Sequence, residues 1–261
     1  TDRNDLLVHG EQPVAPEAEE KYLNWIRQRA EHIPLQQLTG EQGFMGLTFS
    51  VNEHVLIPRQ DTEILVEEVL KELHDGMRVL DMCTGSGCIL LSLLHYSNDC
   101  EGLGVDLSAE ALEVAGRNVL KVLTPEKAEH AHFLQSDLFE KVEGKFEIIV
   151  SNPPYKKPDS GEMDKNETRA VSKYELKLTL DELIENARRL LKFRGKFYMV
   201  HRADRMAECI YKLKQNNIEP KVMTLVYPKA EKSPDVVIYE CIKGASEGVK
   251  INTLIVYDED G

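Results

Sequence analysis

Between residues 77 and 216 short apolar runs alternate with longer amphipathic ones, and this alternation constrains the chain more than any other feature. The pattern predicts strands at 77–81, 102–106, 131–135, 146–151 and 196–200. It predicts helices at 86–96, 108–120, 178–192 (stopped at Gly195) and 203–216. A strand followed by a helix and another strand returns the chain to the same end of the sheet. Repeated βα units therefore imply a mostly parallel sheet covered by helices on both faces. Two later strands, near 220–226 and 235–242, have no helical pattern between them and are expected to pair antiparallel at the sheet edge. A last apolar run covers 251–257.

The segment before this alternation has a different character. Residues 1–15 are mostly polar, with one proline (Pro13), and read as a loose lead-in, trimmed from a longer natural start. Tyr22, Leu23, Ile26 and Ala30 fall at helical spacing within a predicted helix at 16–33. Phe44, Leu47, Phe49, Val51 and Val55 alternate with polar residues around Gly46 and Asn52, which predicts a hairpin at 43–57. Pro58 ends it, and a helix at 60–74 closes at Gly76. The expected organisation is a helical and hairpin extension at 1–58 and a main domain at 59–261. The polar stretch Lys156–Ser172 is expected to be a mobile loop.

Composition narrows the classes. No stretch of about 18 apolar residues exists to span a membrane, and no secretory signal opens the sequence. The five cysteines (Cys83, Cys88, Cys100, Cys209 and Cys241) form neither a CxxC pair nor a Cys/His cluster. They read as reduced thiols of a cytoplasmic protein with no metal site. The net charge of −13 is uneven: residues 1–155 hold 12 basic and 27 acidic side chains, residues 156–261 hold 20 and 18. The acidic front argues against a broad nucleic-acid surface there.

Three acids fall at the ends of successive predicted strands. Asp81 precedes the turn Cys83-Thr84-Gly85-Ser86-Gly87, whose glycines let a ligand approach the backbone where a helix begins. Asp106, followed by Leu107, ends the second strand, where an acid can hold ribose hydroxyls. Asp137, between Ser136 and Leu138, follows the third, and three acids in this register point to a nucleoside site. After the fourth strand comes Asn152-Pro153-Pro154-Tyr155. The prolines stiffen the backbone and remove donors. The Asn152 side-chain oxygen and the Pro153 carbonyl can accept both N–H groups of a planar –NH2, and Tyr155 can pack on a planar substrate.

Together Asp81, Gly85-Ser86-Gly87, Asp106, Asp137 and Asn152-Pro153-Pro154-Tyr155 resemble the S-adenosylmethionine-dependent amino-methyltransferases. The resemblance implies an α/β fold, the seven-stranded class I (Rossmann-like) methyltransferase sheet with a reversed late hairpin. It implies S-adenosylmethionine as cofactor, S-adenosylhomocysteine as product, and a cofactor set of Arg59, Asp81, Thr84, Gly85, Ser86, Gly87, Asp106, Leu107, Ser136, Asp137, Leu138 and Asn152. Arg59 and Glu63 are expected to cover the cofactor, the alternative being a surface ion pair.

The two ends of the chain resemble different branches. Pro34-Leu35-Gln36-Gln37-Leu38-Thr39-Gly40-Glu41 and Val55-Leu56-Ile57-Pro58-Arg59-Gln60-Asp61-Thr62-Glu63 are similar to the release-factor glutamine N5-methyltransferases (the HemK/PrmC family), with Gln37 where that family usually has Tyr. That family's helical N-terminal domain helps dock the release factor. Lys156-Lys157-Pro158-Asp159, Val200-His201-Arg202-Ala203-Asp204-Arg205, Pro228-Lys229-Ala230 and Ile255-Val256-Tyr257-Asp258 are similar to the tRNA(Val) adenine-N6 methyltransferases. There Lys173-Tyr174-Glu175 replaces the usual Arg-His-Glu. The chain therefore reads as a chimera joined near Asn152–Tyr155. Release-factor glutamine is the expected acceptor and tRNA adenine the alternative. For tRNA, Lys156, Lys157, Lys165, Arg188, Arg189, Arg194, His201, Arg202 and Arg205 are the candidate phosphate contacts. A cofactor-binding module without turnover is the third reading.

Overall fold

The computed structural model describes residues 7–8, 13–137, 139–153 and 178–256. Two strands, β1 (Glu41–Phe44) and β2 (Leu47–Ser50), form an antiparallel hairpin turned by Met45 and Gly46, both at positive φ. Eight more make one sheet: β3 (Arg78–Met82), β4 (Glu101–Asp106), β5 (Ala131–Gln135), β6 (Phe146–Ser151), β7 (Leu191–Arg202), β8 (Ile218–Tyr227), β9 (Val236–Lys243) and β10 (Lys250–Ile255). Their order is β10-β8-β9-β7-β6-β3-β4-β5. Every strand is parallel to the rest except β9, which runs antiparallel to β7 and β8.

The sheet has eight strands, not seven. The apolar run near the end pairs in parallel with β8 and becomes the edge, so the β8–β9 pair is antiparallel as expected but does not itself end the sheet. Leu254 and Val256 pack on the core while Ile251 and Ile255 face outward. A further departure lies at the start of β7. Leu191 pairs with Phe146 and Lys196 with Ile148, so residues 192–195 bulge out of the ladder, with Arg194 at φ 64°.

The helices are α1 (Pro16–Ala30), α2 (Leu35–Thr39), α3 (Gln60–Leu70), α4 (Cys88–Tyr96), α5 (Ala109–Val122), α6 (Pro125–Ala128), α7 (Leu180–Leu190) and α8 (Met206–Gln215). Side chains alternate across the sheet because successive Cβ atoms point to opposite faces. Val79, Ile148, Val150, Tyr198 and Val200 join one core with α3, α4 and the hairpin residues Phe44 and Phe49. Leu80, Ile149, Phe197 and Met199 join the other with α7 and α8. Local chemistry starts two of these helices. Thr179 and Glu182 form a reciprocal capping box on α7, and Ser108 accepts the Ala111 N–H on α5. By contrast α4 starts from Gly87 at φ 77° with no side chain capping it.

Candidate active site

β3 is the switch point of the sheet, with β4 on one side and β6 on the other. Because β3, β4, β5 and β6 are parallel, their carboxyl ends meet at one rim. Asp81, Asp106, Asp137 and Asn152 all stand on this rim.

Hydrogen bonds tie the glycine turn to that rim. The Thr84 hydroxyl donates to Asp81 Oδ2 at 2.7 Å. Asp106 Oδ2 accepts the Gly85 N–H at 2.9 Å, and its Oδ1 accepts the Ser108 N–H at 3.0 Å. The turn also depends on Gly104 in β4, where a Cβ would stand 2.9 Å from Thr84 Oγ1 and 2.7 Å from the Phe133 ring. Cys83 takes the left-handed region, φ 67°, and donates its N–H to the Val105 carbonyl. Burial pushes the Cys83 and Cys88 thiols up, consistent with packing roles.

Asp81 is fully buried and its Oδ1 has no hydrogen-bond partner among the described residues. Burial raises its pKa to about 7; the Thr84 bond opposes this and nearby Asp106 adds to it. Burial likewise raises Asp106. A buried acceptor without a donor calls for a ligand or water that supplies one. An open helix N-terminus, a glycine turn and acids on two adjoining strands supply acceptors and N–H donors for a nucleoside carrying an ammonium group.

The other expected residues are distributed unevenly. Ser136 is buried; its hydroxyl accepts the Lys141 N–H at 3.2 Å and its N–H reaches the Asp106 carbonyl at 3.1 Å. The Leu107 carbonyl accepts from Gln135 Nε2 at 3.0 Å. Asp137 and Arg59 are exposed. Among the described residues Arg59 makes no ion pair, and Glu63 instead accepts the Met45 N–H at 2.7 Å, pinning the hairpin turn to α3. Asn152 donates from Nδ2 to Thr62 Oγ1 at 3.3 Å. Leu138, Pro154, Tyr155, the loop Lys156–Ser172 and the triplet Lys173-Tyr174-Glu175 lie outside the described residues.

Sequence reasoning gave no role to Thr62, Asn118 or Ser151. Asn118, fully buried, donates to the Ser86 and Ser50 carbonyls at 2.9 and 3.1 Å and accepts the Ser50 N–H at 2.7 Å. It holds the glycine turn to the hairpin. Ser151 Oγ donates to the Met82 carbonyl at 2.8 Å, stitching β6 to β3. Asn118 lies mid-helix on α5, a position from which sequence gives no hint of contacts 32 and 68 residues away.

The candidate phosphate contacts separate. Arg188, Arg189 and Arg194 lie at the amino ends of β6 and β7, across the sheet from Asn152. His201 is 1% exposed, and burial lowers its pKa to about 4, with Arg205 adding to the effect, so it stays neutral and out of a phosphate's reach. Arg202 and Arg205 sit at the correct end but pair with Asp204 and Glu208.

Fold and rim together give an α/β sheet whose parallel strands gather Asp81, Asp106 and Asn152-Pro153 at one end. The profile of the Methyltransferase small domain matches residues 59–222, and the chain belongs to that family. A second profile, the PrmC N-terminal domain, matches residues 1–40. The release factor glutamine methyltransferase of Leptospira interrogans is 42% identical over 158 residues, 59% of this chain and 54% of the relative. That of Clostridium acetobutylicum is 41% identical over 162 residues, 60% and 56%. The chain thus spans about half the length of the curated relatives it matches.

A predicted O-methyltransferase from Agrobacterium tumefaciens shares the fold at TM-score 0.58 and 17% identity, covering 76% of this chain and 88% of that one. Magnesium protoporphyrin IX methyltransferase from Synechocystis PCC 6803, solved with bound SAM, matches at 0.52 and 16%, covering 70% and 78%. The fold is therefore that of the class I methyltransferases. Among the described residues no helix is long and apolar enough to cross a membrane, and no His/Cys/Asp/Glu group is placed to hold a metal ion.

Proposed function

We propose that this chain is a cytoplasmic enzyme that transfers the methyl group of S-adenosylmethionine to the side-chain amide nitrogen of a glutamine in a peptide chain release factor. The observation that carries the reading is the likeness, about 40% identical, to release factor glutamine methyltransferases over some 60% of the chain.

The cofactor supplies an electrophilic methyl on a sulfonium. The chain's own residues supply position. Asp81 would offer a buried acceptor to the cofactor's cationic end, Asp106 would take the ribose hydroxyls, and Ser136, Asp137, Leu107 and Leu138 are assigned to the adenine. Gly85, Ser86 and Gly87 give close backbone approach, and Arg59 covers the outside. Asn152 Oδ1 and the Pro153 carbonyl accept the two N–H groups of the acceptor amide, drawing its nitrogen out of plane. Pro154 and Tyr155 are assigned to the acceptor side from the motif alone. Most of the rate gain is orientation and exclusion of water. The proton leaves the nitrogen after transfer, so no strong base is required.

A tRNA adenine is the second reading. It is favoured by the resemblances after Tyr155 and by the change of net charge from −15 to +2 at the same place. The same change supports a chimeric origin near Asn152–Tyr155. Separate homology comparisons of residues 1–150 and 156–261 test that origin, and one shared family for both would refute it.

The test of function is transfer of labelled methyl to purified release factor and to unmodified tRNA(Val) in parallel. Label on the release factor supports the first reading; label on tRNA alone replaces it. Label on neither, with cofactor binding intact, leaves a binding module.

A further inference from the structure

The side-chain amide of Asn152 has two ends of similar size and opposite chemistry. A planar –NH2 acceptor presents donors, so only Oδ1 can receive it; Nδ2 in its place would set donor against donor. Packing hardly distinguishes the two ends, so a hydrogen bond must choose between them.

One hydrogen bond that favours a single orientation comes from the first turn of α3. Asn152 Nδ2 lies 3.3 Å from Thr62 Oγ1, and Thr62 Oγ1 lies 3.0 Å from Asp61 Oδ1. Thr62 is 2% exposed, so bulk water does not compete for its hydroxyl. A hydroxyl carries one proton, and a carboxylate carries none to give. The Thr62 proton therefore goes to Asp61. Toward Asn152 the hydroxyl then has only lone pairs, which can receive Nδ2 but not Oδ1. The turn itself is held by the Thr62 N–H to the Arg59 carbonyl at 3.1 Å and by Glu63 to the Met45 N–H at 2.7 Å.

We infer that Asp61 and Thr62 are positioning residues that orient the Asn152 amide, keeping Oδ1 as the end presented to the acceptor nitrogen. The inference rests on the role given to Asn152 above, and it adds a specific dependence of turnover on a hydroxyl that acts through the Asn152 amide.

The experiment compares wild type, Thr62→Val, Thr62→Ser and Asp61→Ala in two measurements. The first needs no substrate: hydrogen exchange of the Asn152 side-chain NH2 by NMR, its signals assigned by their loss in Asn152→Asp. Protection is expected in wild type and Thr62→Ser and reduced in Thr62→Val. Equal protection in wild type and Thr62→Val overturns the lock. The second is methyl transfer. Loss of one hydrogen bond is expected to lower kcat about tenfold in Thr62→Val and about threefold in Asp61→Ala. KM for S-adenosylmethionine and the thermal midpoint should stay close to wild type, and Thr62→Ser should restore most of kcat. Unchanged kcat with protection lost overturns the positioning role. A wild-type enzyme that labels neither substrate counts against the proposed function alone, since the exchange measurement still decides the lock.

Discussion

Asp81 carries the strongest electrostatic tension on the rim. Its carboxyl is removed from water, so burial raises its pKa from 3.8 to about 7 despite the bonds from Thr84 and the Leu90 backbone, and among the described residues its Oδ1 has no hydrogen-bond partner. Between those two values the folded chain holds a proton that the unfolded chain has released. Folding stability therefore falls as pH rises through that window, by about 1.4 kcal/mol per unit at most. Urea unfolding of the cofactor-free protein at pH 4.5 and 7.5 should show Asp81→Asn losing on the order of 3 kcal/mol less than wild type. Calorimetry should show the same variant binding S-adenosylmethionine more weakly. At this scale the sequence was informative about residue types: acids after strands and glycines in a turn announce a nucleoside cleft. It was silent about partners. Glu63 read as a cofactor cover or ion-pair member, and it proves to be a backbone anchor for Met45.

Elements meet at the site through a few buried polar staples. Asn118 on α5 serves β2 and the glycine turn together, through three hydrogen bonds. Asn118→Ala leaves the Ser50 N–H and the Ser86 carbonyl without it, and each orphaned buried group costs about 1–3 kcal/mol. The expected loss is about 2–4 kcal/mol in denaturant unfolding, with faster amide exchange across β1 and β2 than in the main sheet. No loss of stability would show that the hairpin docks through Phe44 and Phe49 alone. Most elements were legible from periodicity and breakers. Their ends moved where caps act: α7 runs Leu180–Leu190 because Thr179 and Glu182 fix its start, two residues inside the predicted span. The early start of β7 was not legible, since a bulge at 192–195 is visible only in the pairing with β6.

The whole molecule separates cofactor chemistry from its far edge. Four strands, β8, β9, β7 and β6, lie between β10 and β3. Leu254→Ala should therefore lower stability by about 1–2 kcal/mol through lost packing on the core. It should leave affinity for S-adenosylmethionine unchanged by calorimetry; a several-fold weaker Kd would mean that the edge and the cleft are coupled. The sequence by itself determined the class of fold, because strand-helix alternation with short connections admits little besides a parallel sheet covered on both faces. It also determined which residue types reach the carboxyl rim, since a motif after a strand inherits that strand's direction. Only the tertiary structure decided that the last apolar run extends the sheet beside β8, and that Thr62 meets Asn152 across 90 residues of chain. Periodicity records which face of an element is buried, whereas contacts between distant segments depend on register and packing, which local pattern does not encode.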